Sequence, residues 1–235
     1  MLGASSLLLG AALALWVHIR LRVIGLIMGF GAGVLISAVA FDLIEEAVGK
    51  ATGHGASLAG ILAGCGVFFI GDLLIDRAGG ANRKSARSPE DTDSPLAIVL
   101  GTVLDGIPES LVIGLTIYES GAVGAAYLAA VFVSNVPEAL SSTAGLVAKG
   151  WSSRRILGMW TLIAIVSALA SLVGYLAFRG ASSDTVAFTL AFAAGAILTM
   201  LADEMMPEAY AHGGKLVGVV TTLGFAASFL IDQLA

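Results

Sequence analysis

The chain has 235 residues, of which 57% are apolar and only 12% are charged, and its formal net charge is −5. A soluble domain carries about 25% charged residues, so this composition excludes an ordinary water-soluble protein. The basic residues form no patch, which argues against a nucleic-acid partner and leaves membrane lipid as the expected surroundings.

Eight apolar stretches, separated by charges, Gly/Pro clusters and polar runs, predict eight membrane-spanning helices in a single domain over residues 1–235. Strands are not expected, because alternating patterns are absent and lipid leaves no backbone group unpaired. Positive charges follow the first stretch instead of preceding it, which predicts a retained helix and not a secretory signal. The predicted spans are Gly3–His18, Val23–Ile44, Ser57–Ile75, Pro95–Tyr118, Gly121–Val147, Arg155–Phe178, Asp184–Met206 and Lys215–Leu234.

The Lys and Arg residues predict the orientation of the chain. Ten of the twelve lie in the loops after odd-numbered spans, and only Lys50 and Arg179 lie in loops after even-numbered spans. Because loops rich in Lys and Arg stay in the cytoplasm, the loops after odd-numbered spans are predicted to be cytoplasmic. Both termini are therefore expected outside, in a membrane of the bacterial plasma-membrane type. The longest polar stretch, residues 76–94, is predicted to be a flexible cytoplasmic loop between spans three and four.

The second span is repeated in the seventh at an offset of 162 residues. These two spans run in opposite directions in the predicted topology. The match therefore indicates an inverted repeat, with spans 1–3 and 6–8 around spans 4–5, as in many secondary transporters. Chance similarity between apolar segments is the alternative. The matching pairs are Phe30 and Phe192, Ala32 and Ala194, Gly33 and Gly195, Ser37 and Thr199, Ala40 and Ala202, Asp42 and Glu204, Glu46 and Glu208, and Ala47 and Ala209.

The fourth and fifth spans each contain a Pro-Glu pair near the middle, Pro108-Glu109 and Pro137-Glu138, which lie 29 residues apart. A charge at the centre of a spanning helix costs about 2.5–3.5 kcal/mol or more, so such carboxylates are kept to pair, take up a proton or bind a cation. Proline removes a backbone hydrogen bond. Pro108 and Pro137 are therefore predicted to kink their helices and to leave a carbonyl free for binding.

Other polar side chains share the helix faces of these two glutamates. Asp105 lies four residues before Glu109, and Asn135 lies three before Glu138, so each pair occupies one face. We expect the two faces to meet and to place four oxygen-bearing side chains around a divalent cation. A proton-sharing carboxyl cluster, or a packing motif without a substrate, is the alternative. The expected rim residues are Ser110 and Ser134.

Acidic residues close the second and the seventh predicted spans, on opposite sides of the membrane. We interpret the outer group as a vestibule and the inner group as an exit path, which concentrate cations and pass them on. Simple solvated helix ends are the alternative. His212 is interpreted as a bystander, and Cys65, in an apolar run, as a packed thiol. The outer group is Asp42, Glu45 and Glu46, and the inner group is Asp203, Glu204 and Glu208.

These residues resemble the ZIP (Zrt-, Irt-like) metal transporters, whose fourth span carries His-Asn-x-Pro-Glu-Gly and whose fifth carries a matching x-x-x-Pro-Glu. Asp105–Ser110 and Ser134–Ala139 are similar to those motifs, and the resemblance extends over all eight spans. It implies a carrier that moves divalent transition metals, usually zinc, iron or manganese, into the cytoplasm. The metal ligands that it implies are Asp105, Gly106, Glu109, Ser134, Asn135 and Glu138, with a further ligand near Ser171.

The chain departs from the family pattern at four ligand positions. Asp105 and Ser134 replace the motif histidines, Gly106 replaces an Asn, and Ser171 replaces the acid of the sixth span. One metal site is therefore expected instead of two. Zinc remains the first expected substrate, because the family resemblance implies it, with Mn²⁺, Fe²⁺ and Cd²⁺ as further candidates. An all-oxygen ligand set suits Mn²⁺, Mg²⁺ or Ca²⁺ better, so a broader or altered selectivity is expected.

We predict a metal-ion transporter that works by alternating access, with the metal as substrate and no resident cofactor. A non-transporting, ZIP-like metal sensor or scaffold is the second hypothesis, because the usual histidines are lost; it predicts metal binding without flux. An enzyme is not expected, since an aspartyl protease needs two facing aspartates and no motif surrounds Asp72 or Asp105. The Gly-rich helices are also compatible with a homodimer.

Overall fold

The computed structural model describes residues 2–17, 19–80, 95–121 and 124–234, and the regular structure in this part of the chain is entirely helical, as predicted. Eight helices follow one another in it, and α2 and α7 are each a continuous run of three shorter segments. The helices are α1 Leu2–Trp16, α2 Leu21–Lys50, α3 His54–Ile75, α4 Pro95–Ser120, α5 Ala125–Ala148, α6 Ser153–Ala177, α7 Ser183–Gly213 and α8 Leu216–Leu234.

Six of the described helices are long and apolar enough to cross a bilayer: α2, α3, α4, α6, α7 and α8. Helix α1 is apolar but shorter, and α5 carries polar residues along its middle, among them Ser134, Asn135 and Glu138. The expectation of apolar, membrane-length helices is therefore confirmed for six of the eight predicted spans. That α1 and α5 also cross the membrane stays a prediction.

Helices α2 and α7 each contain a widened, π-helical turn, at Val39–Glu45 and at Leu201–Met205. Both helices continue beyond this turn, α2 as far as Lys50 and α7 as far as Gly213. The predicted ends of spans two and seven fall in or beside these turns and are wrong. Acidic residues can end an apolar run without ending the helix. A π turn accommodates the change from apolar to acidic residues inside a continuing helix.

The predicted loop at residues 76–94 begins later than expected. Helix α3 passes without a break into a further π turn, Asp76–Gly80, so its helical structure outlasts the apolar run. Residues 81–94 lie outside the described part of the chain, as does His18, the predicted end of the first span.

Helices α2 and α7 form the centre of the bundle. Their most apolar windows are 67% and 61% buried, against 17% for both α3 and α8, so the latter helices present most of their surface outward. Helix α3 packs along α7 and α8 along α2, while α1 packs against α5 and α4 against α6. Cys65 is exposed on α3, so its interpretation as a packed thiol is wrong.

Glycines bring the central and outer helices into backbone contact. In α2, α3, α7 and α8, a neighbouring carbonyl oxygen lies where the β-carbon of a larger residue would be, so only glycine fits. The contacts are Gly33 with Thr221 and Gly224 with Phe30 between α2 and α8, and Gly64 with Phe192 and Gly195 with Ile61 between α3 and α7.

Candidate metal centre

The two Pro-Glu pairs lie inside continuous helices, Pro108 in α4 and Pro137 in α5. The glutamates that follow them are almost fully buried, with Glu109 2% and Glu138 4% exposed. Neither proline can donate a backbone hydrogen bond, so each helix lacks one bond of its ladder at the level of the buried carboxylate. The predicted kinks at these prolines stay predictions.

A cavity of about 280 Å³ lies between α1, α4, α5 and α6, and both glutamates line it. Asn135 lines it as well, 8% exposed, and its amide donates a long hydrogen bond of 3.5 Å to the carbonyl oxygen of Gly3 in α1. The structure therefore brings Glu109, Asn135 and Glu138 to one cavity. The hydroxyl-bearing residues of the wall are Thr102, Ser110, Ser167 and Ser171.

Most residues of the cavity wall come from α4 and α5, and α1 and α6 complete it. Helices α4 and α5 make few direct contacts with each other, because α4 packs on α6 and α5 packs on α1. Gly10 of α1 fits against the backbone of Val136, and Gly114 of α4 against that of Ser171. The two glutamate-bearing faces thus border a common space and do not pack directly on one another.

Two predicted ligands do not reach the cavity wall. Asp105 is buried, 3% exposed, but is absent from the lining although it lies one helical turn before Glu109. Ser134 is fully buried on another side of α5, where its backbone packs against Gly31 of α2. Its hydroxyl donates to the carbonyl oxygen of Val131 at 3.1 Å. The predicted place of Ser110 at the cavity is matched by the lining, whereas Ser134 faces the central helix.

The cavity offers oxygen donors. Across the described part of the chain, no three side chains of His, Cys, Asp or Glu lie close enough together to hold a metal ion. The polar lining consists instead of two carboxylates, one amide and several hydroxyls. Carboxylate, amide and hydroxyl oxygens are the ligands that hard divalent cations prefer, and zinc also accepts carboxylates.

The predicted outer acids are divided by the structure. Asp42 and Glu46 line a second cavity of about 110 Å³, which we call the outer cavity, whereas Glu45 is exposed and lies outside its lining. Glu119, from the end of α4, completes this lining and was missed by the sequence analysis. The Nζ atom of Lys50 lies 2.5 Å from a carboxylate oxygen of Glu119 and 3.6 Å from one of Glu46.

The predicted inner acids are also divided. A carboxylate oxygen of Glu208 lies 2.7 Å from Nε2 of His212, whose side chain is only 3% exposed. His212 is therefore a partner of the inner group and not a bystander. Asp203 lies elsewhere, on an exposed groove between α3 and α7 that Cys65 also lines. Glu204 is half-buried on the intervening turn.

Tyr127 is a second residue that the sequence analysis missed. It lies in the first turn of α5, is 1% exposed, and lines the outer cavity. Among the described residues, its buried hydroxyl has no hydrogen-bond partner. Tyr127 lines the outer cavity and not the larger central one, which the next residue, Leu128, lines. A tyrosine in an apolar run carries no sequence signal for this position.

No protein-family model matches the chain. Over 230 residues, 96% of its length, the chain is 26% identical to the Arabidopsis thaliana protein named "Putative zinc transporter At3g08650". The match covers 36% of that protein, so the chain spans little more than a third of the length of its relative. The similarity is consistent with the ZIP resemblance of the two Pro-Glu motifs.

The helices and this similarity together define an integral membrane protein. The relative is named as a transporter, which agrees with the expectation that the chain is not an enzyme.

Proposed function

We propose that the chain carries divalent transition-metal cations across the membrane, and that the cavity between α4 and α5 is the transport site. The observation that carries the proposal is that Glu109 and Glu138, from the two proline-containing helices, line one buried cavity together with Asn135. The name of the relative, a zinc transporter, supports zinc as the first substrate.

Charge balance favours a divalent ion at this site. None of the described residues that line the cavity is basic, and the two carboxylates that line it are buried. One divalent cation balances two negative charges and relieves much of the cost of burying them. The oxygen-rich lining supports Mn²⁺ and Fe²⁺ as substrates beside Zn²⁺. We propose one metal site and include Cd²⁺ among the metals to be tested.

We further propose that eight spans form an inverted repeat and work by alternating access. The π turns of α2 and α7 support this, because Val39 and Leu201, where they begin, are 162 residues apart, the same offset as the sequence repeat. The helix pairs support it too. In the proposed repeat α2 corresponds to α7 and α3 to α8, so the packing of α3 on α7 corresponds to the packing of α8 on α2.

The glycine contacts supply a third argument for the repeat. Gly33 and Gly195 are 162 residues apart, and each receives a carbonyl from the outer helix beside it. Phe30 and Phe192, at the same offset, each offer a carbonyl to a glycine of that outer helix. Both faces of the transport site would then be opened by equivalent movements, with net uptake into the cytoplasm.

Uptake by reconstituted liposomes tests the proposed function. We expect the purified chain to take up Zn²⁺ and, with different efficiency, Mn²⁺, Fe²⁺ and Cd²⁺. The uptake rate of the Glu109→Gln/Glu138→Gln variant should be at least about tenfold lower, since the variant removes both charges of the cavity while keeping its shape. Asp184→Asn is the matched control, because this carboxylate lines neither cavity and instead accepts hydrogen bonds from Thr52.

The outcomes separate the two functional hypotheses. Uptake by the double variant at the level of the control would contradict the assigned site. Metal binding by folded protein without flux of any of the four metals would instead favour a membrane sensor or scaffold.

A further inference from the structure

Lys50 and Glu119 form an ion pair between the ends of two helices. The Nζ atom of Lys50, the last residue of α2, lies 2.5 Å from a carboxylate oxygen of Glu119, near the end of α4. Helix α4 carries Glu109 and packs mainly on α6, so this pair ties a glutamate-bearing helix to the central helix α2. We infer that the Lys50–Glu119 pair is a latch that closes the outer cavity, and that its release opens a hydrated path from outside towards the transport site.

The outer cavity borders the latch through Glu119, which belongs to its lining, whereas Lys50 does not. Tyr127, in the same lining, is 1% exposed, and its buried hydroxyl has no hydrogen-bond partner among the described residues. Buried polar groups are normally bonded to protein or to water. Release of the latch would bring water to this hydroxyl, so the cavity wall is better suited to the open state than to the closed one.

Lys50 has a second partner available in the open state. Its Nζ atom also lies 3.6 Å from a carboxylate oxygen of Glu46, one turn earlier in α2, so the ammonium keeps a counter-charge when Glu119 moves away. The side chains of Lys50 and Glu119 are 28% and 26% exposed, so water can replace the contact that is lost. An ion pair that is open to water is weak and exchanges readily, as a latch on a moving helix must.

The outer and the central cavity are bordered by the same two helices. In α4, Thr116 lines the outer cavity and Ile117 lines the central one. In α5, Tyr127 and Leu128 are divided in the same way. Movement of the end of α4 away from α2 would therefore widen the outer cavity beside the wall of the transport site. The inference rests on the proposed function for where this path leads.

The reactivity of a cysteine in the outer cavity measures whether the latch is closed. Thr116→Cys in a Cys65→Ser background puts a single thiol on the cavity wall, because the chain has one cysteine. The probe is methyl methanethiosulfonate, which is small, water-soluble and uncharged, so that nearby charges neither concentrate nor repel it. In the purified protein in detergent, we expect slow modification while the ion pair is intact.

Release of the ion pair should accelerate this modification. We expect Lys50→Gln to raise the rate about threefold or more, since Glu119 then has lost its partner on α2. Loss of a positive charge by itself disfavours the reactive thiolate, so a faster reaction reports opening. Raising KCl to about 1 M should accelerate the reaction of the parent and leave that of Lys50→Gln unchanged, because salt screens an ion pair that is open to water.

Two variants control for charge and for folding. Lys50→Arg keeps a positive charge and a donor to Glu119, and should keep the slow rate. Arg179→Gln removes the other basic residue of the predicted outer side, which is exposed, stacks on the ring of Tyr175 and lines neither cavity; it should leave the rate unchanged. Melting curves establish that each variant is folded. If Thr116→Cys fails to fold, Leu43→Cys reports from the α2 wall of the same cavity.

Equal modification rates for Lys50→Gln and its parent, or the same acceleration by Arg179→Gln, would overturn the latch. Absence of liposome uptake by the parent chain, with the acceleration by Lys50→Gln intact, would count against the proposed transport and leave the latch standing.

Discussion

The indole of Trp160 shows how polar groups are accommodated inside this bundle. Trp160 and Thr143 are both fully buried, and the indole N–H donates to the threonine hydroxyl at 2.8 Å, joining α6 to α5. In a membrane protein such bonds between helices contribute about 0.6–1.7 kcal/mol. This pair fixes α5, the helix of Glu138 and Asn135, against its neighbour at a point removed from the cavity.

Replacing Thr143 by Val keeps the shape of the side chain and removes the acceptor. We expect Thr143→Val to lower the apparent melting temperature in detergent by about 2–4 °C, since the buried indole N–H then has no partner. Thr161→Val is the control, because the exposed Thr161 hydroxyl only bonds to Leu157 of its own helix. Equal melting temperatures for both variants would contradict a stabilising role for the Trp160–Thr143 bond.

At the residue scale, the sequence identified the two glutamates and Asn135 but not their surroundings. Pro-Glu repetition and depth in the apolar run were sufficient to select Glu109 and Glu138, and both line one cavity. Ser134 was misplaced because the rotation of α5 depends on which neighbours it packs against, and no periodicity reveals this. Glu119 and Tyr127 meet Asp42 only through the tertiary fold.

At the scale of helices, glycine positions decide how closely the outer helices approach the centre. A β-carbon at Gly64 would collide with the carbonyl oxygen of Phe192, whereas one at Gly66, two residues later on α3, meets nothing within 4 Å. The two positions share a helix and differ in whether a neighbouring backbone lies against them.

We therefore expect opposite effects from two alanine substitutions on α3. Gly64→Ala should force α3 away from α7 and sharply reduce the yield of folded protein. Gly66→Ala should preserve or raise stability, by up to about 1 kcal/mol, because alanine favours helix more than glycine does. Size-exclusion profiles and melting curves in detergent measure both, and a Gly64→Ala protein as stable as its parent would show that α3 is not held in this way.

Helix existence was predictable, and helix ends were less so. Long apolar runs predict helices because a helix satisfies all of its backbone hydrogen bonds within one segment, as lipid requires. Sequence alone does not predict the ends of α2 and α7, because acidic residues commonly mark the end of a span. The π turns that carry the helices past Asp42 and Glu204 have no clear pattern in one sequence.

At the scale of the whole molecule, the proposed orientation is open to a direct test. Ser153 and Ser183 are the exposed first residues of α6 and α7, and the proposed topology puts Ser153 in the cytoplasm and Ser183 outside. In a Cys65→Ser background, Ser183→Cys should react with a membrane-impermeant maleimide on intact cells. Ser153→Cys should react only after permeabilisation. The reverse labelling pattern would show the opposite orientation, in which the cavity that we call outer faces the cytoplasm.

The bundle as a whole was predictable in its class and not in its packing. Composition predicts an all-helical membrane protein, and the 162-residue offset predicts that α2 and α7 are equivalent helices of a repeat. Helices α4 and α5 border the cavity without packing on each other, and α1 and α6 complete its wall. This arrangement follows from helix packing, in which small residues decide close approach.

The two basic residues beside the acidic groups carry a consequence for vectorial transport. Lys50 pairs with Glu46 near one end of the path, and His212 pairs with Glu208 near the other, and Lys50 and His212 are themselves 162 residues apart. A carrier whose path had identical residues at both ends would bind the metal equally well from both faces. Here equivalent positions hold an ammonium in one mouth and an imidazole in the other, which breaks the symmetry of the carrier. In the proposed carrier, the electrochemical gradient of the metal would set the direction of net flux, and the two unlike ends of the path would set how readily each face is filled.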